Sequence, residues 1–108
     1  MNISFVEHVN EYKNNRIEIL FVNFDYIDGN DLIAKILNEN LGVEVGEKLD
    51  GIWFITIPLY YEGYEFKLLW HEDVGNCIYS ESSEEKAIEK MRNLVEFAMN
   101  KLAEMINK

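Results

Sequence analysis

The sequence predicts an α+β fold: an antiparallel β-meander of about four strands packed with an N-terminal helix, a middle helix and a long C-terminal helix. Three observations carry that expectation. Two strand patterns, 51–60 and 64–71, flank the short connection Tyr61-Glu62-Gly63, which makes them an antiparallel hairpin. A third pattern, 76–81, follows after the turn residues Glu72-Asp73-Val74-Gly75. Beyond Ser82 an apolar three-four alternation begins and lasts for three heptads. Helices lying outside a run of strands pack on one or both faces of the sheet.

Taken in order, residues 5–14 read as a short amphipathic helix. Ser4 and Glu7 have capping-box spacing, and Phe5, Val9 and Tyr12 share a helical face. A strand competes for the same residues. Ile17 to Phe24 reads as an inner strand, β-branched and aromatic on both faces. Asp25 to Asn30 is turn material, from which Asp28 or Asn30 can cap a helix over 31–41. Leu32, Ile33, Ile36, Leu37 and Leu41 form its stripe, and Gly42 suits the left-handed position after its end. Residues 43–50 suggest a short strand and then a charged loop. Pro58, with no N–H, places part of the 51–60 strand at a sheet edge or bulge. Ser82 and Glu85 form a second capping box. The helix behind them runs to about Ile106 on a stripe of Ile88, Met91, Val95, Ala98, Leu102 and Met105, widened by Leu94, Met99 and Ile106.

With 108 residues and no linker-like stretch, the chain reads as a single domain, 1–108. Its net charge of −10 disfavours direct contact with nucleic-acid phosphates or anionic lipid. The deficit is uneven. Residues 83–108 hold Glu84, Glu85, Glu89, Glu96 and Glu104 against Lys86, Lys90, Arg92, Lys101 and Lys108, so the excess acid lies in residues 1–82. Cys77 is the one cysteine, which rules out an internal disulfide and suits a reducing cytoplasm. Residues 1–7 lack the pattern of a signal peptide, and no apolar run reaches the length of a membrane span. A cytoplasmic location is the expectation.

No Gly-rich phosphate loop, HExxH, GxSxG or CxxC occurs, and no cofactor or metal is implied. His71, Asp73 and Cys77 form the densest group of reactive side chains. They suggest a metal site or a thiol nucleophile only if further residues join them, and otherwise a polar turn beside an apolar strand cysteine. Tyr60, Tyr61, Glu62, Tyr64, Glu65, Glu72 and Asp73 combine aromatic anchors with carboxylates, which is the chemistry of a surface that binds a basic partner.

The acidic meander from Trp53 to Glu81 and the capped helix after Ser82 resemble, in general character, the small acidic immunity proteins of contact-dependent inhibition and polymorphic toxin systems. The resemblance implies a non-enzymatic inhibitor that occludes a toxin, such as a nuclease, with its acidic side chains. The alternatives are a small-molecule-binding or enzymatic α+β domain with a site near His71, and a homodimeric structural protein that uses the last helix or an exposed sheet face.

Overall fold

The computed structural model describes residues 3–106. Two residues of the segment read for a signal peptide, and Lys108 of the charge count, lie outside them. Seven strands form one antiparallel sheet: β1 Ser4–Asn10, β2 Arg16–Val22, β3 Glu44–Val45, β4 Leu49–Asp50, β5 Phe54–Tyr61, β6 Tyr64–His71 and β7 Gly75–Ser80. Two helices accompany it, α1 Ile27–Leu41 and α2 Glu85–Ile106. The spatial order is β1-β2-β7-β6-β5-β3, with β4 also pairing β5. The α+β class and the antiparallel sheet stand. The expected four-strand meander with three helices does not, since the sheet has seven strands and one of the three helices is absent.

That helix was placed over 5–14, where the chain instead forms β1 and a single 3-10 turn, Glu11–Lys13. Phe5, Val9 and Tyr12 satisfy a helical spacing, but Phe5, Glu7 and Val9 also satisfy the period of two. The strand wins because β2 offers a partner over its whole length, from Ser4↔Val22 to Asn10↔Arg16. Glu7 does not close a capping box. Its carboxylate reaches Arg92 on α2. Asn14 and Asn15 then turn the chain in the left-handed region, which asparagine tolerates.

α1 begins at Ile27, earlier than its apolar stripe suggests, and Tyr26 at its start supplies no side-chain cap. Gly29 and Asn30, which read as turn residues, are its buried first turn. A Cβ at Gly29 would lie 2.5 Å from the Phe24 ring, so glycine serves here for close packing. At the other end Gly42 is left-handed (φ 70°), and its N–H and that of Val43 donate to the carbonyls of Asn38 and Leu37. In α2, Ser82 Oγ accepts from the Glu84 N–H, one residue short of the expected box with Glu85.

Both helices cover the same sheet face. Ile19, Ile78, Leu68 and Ile57 are cross-strand neighbours on β2, β7, β6 and β5, and all are buried beneath Ile33 and Leu37 of α1 and Met91, Leu94, Val95 and Leu102 of α2. The α2 stripe thus meets its own sheet, though Met105 at its end is half exposed. Neither α1 nor α2 covers the opposite face. Across it runs a mixed row, Val6, Leu20, Cys77, Leu69, Thr56 and Leu49, beside a polar row in which Arg16 sits 3.5 Å over the Tyr79 ring and pairs with Glu18. Pro58 stands where β3 has ended and β4 has not begun. Its carbonyl accepts from Gly46 N–H, but it has no hydrogen to return, and residues 46–48 leave the ladder there.

Candidate functional site

The two hairpin ends of the β5-β6-β7 run lie a full strand apart, about 23 Å at the usual rise per residue. The seven residues expected to bind a partner are divided between them. At one end, Tyr60 and Glu65 are opposed on the open face, while Tyr61 and Tyr64 turn to the helix side and pack against the core. Both of the acids expected to bind at this end are already engaged. Glu62 pairs with Lys90 of α2 at 3.2 Å, Glu65 with Lys67, and the Tyr64 hydroxyl donates to Glu84 at 2.9 Å. The two ion pairs offset the charges of Glu62 and Glu65, and the Lys90 contact ties the hairpin to α2.

Glu72 and Asp73 lie at the other end, and what surrounds them differs in kind. The Glu72 N–H donates to the Trp53 carbonyl at 3.0 Å, and Trp53, His71, Glu72 and Asp73 line one shallow cleft of about 320 Å³. His71 Nδ1 accepts from the Asp73 N–H, which fixes the ring within its own turn. The segment after β2 closes in from the side. Trp70 Nε1 donates to the Asp25 carbonyl, Asn76 Nδ2 donates to the carbonyls of Phe24 and Tyr26, and Gly75 (φ 83°) leaves room for the Asp25 carboxylate. Asp28, Asp31 and Asp50 gather around Lys48. The hydrogen bond to Asp31 at 3.0 Å raises the Lys48 ammonium above its usual value, and the fields of Asp50 and Asp28 add to it.

This end therefore carries Asp25, Asp28, Asp31, Asp50, Glu72 and Asp73, all exposed, of which only Asp31 has an ion-pair partner among the described residues. Among these acids stand apolar side chains in water: Ile52 is 87% exposed, Trp53 60% and Tyr26 58%, with Ile27, Leu49 and Val74 beside them. Scattered exposed apolar residues are ordinary, but several together, rimmed by charge, mark a contact surface. The loop 51–53 presents Ile52 and Trp53 because Gly51 N–H bonds back to the Phe54 carbonyl, making a tight turn whose tip has nothing to pack on. Sequence reading placed both on strand faces and so missed them as tip residues. Asp-Gly ahead of Ile-Trp was the available signal.

His71, Asp73 and Cys77 do not assemble. No group of three metal-ligating side chains occurs among the described residues. Cys77 is buried, and burial pushes its thiol up to about 12, the wrong direction for a thiolate nucleophile. A deeper concavity of about 370 Å³ lies elsewhere, between the β1–β2 turn and the start of α2, lined by Lys13, Arg16, Ser82 and Ser83 among others. No helix among the described residues is long and apolar enough to cross a membrane. Comparison with protein-family models, curated proteins and solved structures finds no match to this chain.

Proposed function

We propose that the chain is a binding protein that covers a basic surface of another protein, acting as an immunity protein acts on its toxin, and that it does so through the 25–28, 49–54 and 71–74 end. The observation that carries this reading is the exposed Ile52–Trp53 tip among six exposed carboxylates, of which only Asp31 has an ion-pair partner among the described residues. A large aromatic side chain held in water contributes little to a monomer's stability, but it is the commonest anchor of a protein interface. The carboxylates around it steer a cationic partner and select it, since each would otherwise have to be desolvated without an opposite charge. Such a surface blocks a nuclease by occupying the basic cleft that its nucleic acid needs.

The test is co-purification of the tagged chain from its own source cells at low and high salt, with the captured proteins identified by mass spectrometry. The reading expects one basic protein, held at low salt and weakened at high salt, that is toxic when produced alone. An acidic partner, or one indifferent to salt, would contradict it.

A further inference from the structure

We propose that β1 is a pairing edge, and that a second copy of this chain adds to it antiparallel, β1 against β1, so that one sheet continues across a two-fold axis. The inference is independent of the partner proposed above, which uses the loops at one end of the strands and not this edge.

It begins from a contrast between the two sheet edges. The β3–β4 edge is guarded in each way that prevents strand addition. Its strands are two residues long, Pro58 interrupts the ladder between them, and Glu44, Glu47, Lys48 and Asp50 stud it with charge. β1 has neither the shortness nor the proline, and its one acid, Glu7, is paired with Arg92. It is seven residues long and evenly paired to β2, and Ser-Phe-Val-Glu-His-Val-Asn contains no Pro, Gly or Lys. Along an edge strand alternate residues direct N–H and C=O away from the sheet. No other described strand takes up those of β1.

Side chains and charge then select the occupant. Val6 on the open face and Val9 on the helix face are 53% and 51% exposed, so each side of the edge shows an apolar side chain to solvent. A net charge of −10 resists self-association over most of the surface. The β1 flank escapes that repulsion, because Glu7 is bound by Arg92 and α2 beside it belongs to the segment whose charges cancel. A basic partner finds no attraction here, whereas a second copy meets no repulsion. Antiparallel addition of β1 to itself is isologous, so each copy satisfies the other's backbone groups. Registers centred on Val6 or His8 keep Glu7 opposite Phe5 or Val9 of the second copy instead of Glu7.

The experiment is sedimentation equilibrium of the full chain from about 1 to about 500 µM, where mass action makes a dimer visible. The expected mass rises from 12.7 kDa towards twice that value. Val6→Lys and Val9→Lys each lower the association constant by about tenfold or more, since symmetry brings two like charges to the interface. Ile52→Lys, at the far end, leaves it unchanged. Circular dichroism melts establish that each variant folds. Should either valine variant unfold, hydrogen exchange on the wild type takes its place: alternate β1 amides slow as concentration rises. A wild type that stays monomeric throughout overturns the proposal. So does a dimer that ignores both valine substitutions, a doubling of mass with unchanged β1 exchange, or a strand of another protein pairing to β1 while the free chain remains single.

Discussion

Replacing Asn76 tests how the candidate site is held in place. Asn76 is fully buried in β7, and its Nδ2 donates to the Phe24 carbonyl at 3.0 Å and the Tyr26 carbonyl at 2.9 Å. These two bonds fasten the segment that carries Asp25 and Tyr26 to the middle of the sheet. In Asn76→Ala both are lost. The Phe24 carbonyl is left buried and unpaired, at a cost of about 2 kcal/mol, and the part-buried Tyr26 carbonyl loses about 1 kcal/mol. The emptied volume adds about 1 kcal/mol. One effect opposes these. Asn76 Oδ1 has no hydrogen-bond partner among the described residues, and its removal returns about 1–2 kcal/mol. The net loss is about 2–3 kcal/mol, which for a domain of this size lowers Tm by about 10–20 °C. Urea unfolding followed by circular dichroism measures it. Asn76→Asp is expected to be worse at neutral pH, because a carboxylate then faces two carbonyls. Its deficit shrinks as the pH falls, since a buried carboxyl with a raised pKa is favoured when protonated and can donate. A loss below about 0.5 kcal/mol for Asn76→Ala would refute the reasoning, by showing that the orphaned oxygen cancels the two bonds.

Gly75→Ala forces a side chain onto a left-handed residue (φ 83°) and places a Cβ 2.7 Å from the Asp25 carboxylate; a loss of about 1–3 kcal/mol in urea unfolding is expected. The Cys77 thiol, raised to about 12 by burial, stays unreactive towards a thiol reagent at pH 8 until the chain unfolds. Because its folded value lies above its unfolded one, the stability it contributes is intact below about pH 9 and falls as the pH climbs towards 12, which Cys77→Ala removes from a pH series of melts. The Arg92 hydrogen bond holds the Glu7 carboxyl below its ordinary value, so its contribution is present above about pH 4.5 and is lost as the pH drops further. The stability of Glu7→Gln should therefore fall less than that of the wild type between pH 5 and pH 3 by the same melts.

What the sequence disclosed follows from where each element finds its partners. α2 is legible because one stripe, Ile88 to Leu102, meets a single sheet face, and burial on one side produces clean periodicity. β6 is legible for the same reason, with Phe66 and Leu68 inward and Lys67 and Leu69 outward. β1 is not, since an edge strand buries little and its alternation is shallow. The start of α1 is hidden because Gly29 and Asn30 answer to Phe24 and Leu68, neither of which is in the helix. The site was legible by half. Glu72 and Asp73 sit where a turn exposes them. Glu62 looked equally free, but Lys90 takes it from 28 residues away. Asp25, Asp50 and Trp53 join Glu72 and Asp73 only through the tertiary fold, and no local pattern in the sequence announces that meeting.

The central claim is that the Ile52–Trp53 end, and not the Tyr60–Glu65 end, holds the partner. The direct measurement is a calorimetric titration of the purified basic partner into three chains: wild type, Glu72→Gln with Asp73→Asn and Trp53→Ala, and Glu62→Gln with Glu65→Gln. The account predicts a loss of about a hundredfold or more for the first variant, from one aromatic anchor and two carboxylates, and less than about threefold for the second. Equal losses, or a loss confined to the Glu62 and Glu65 variant, would contradict it.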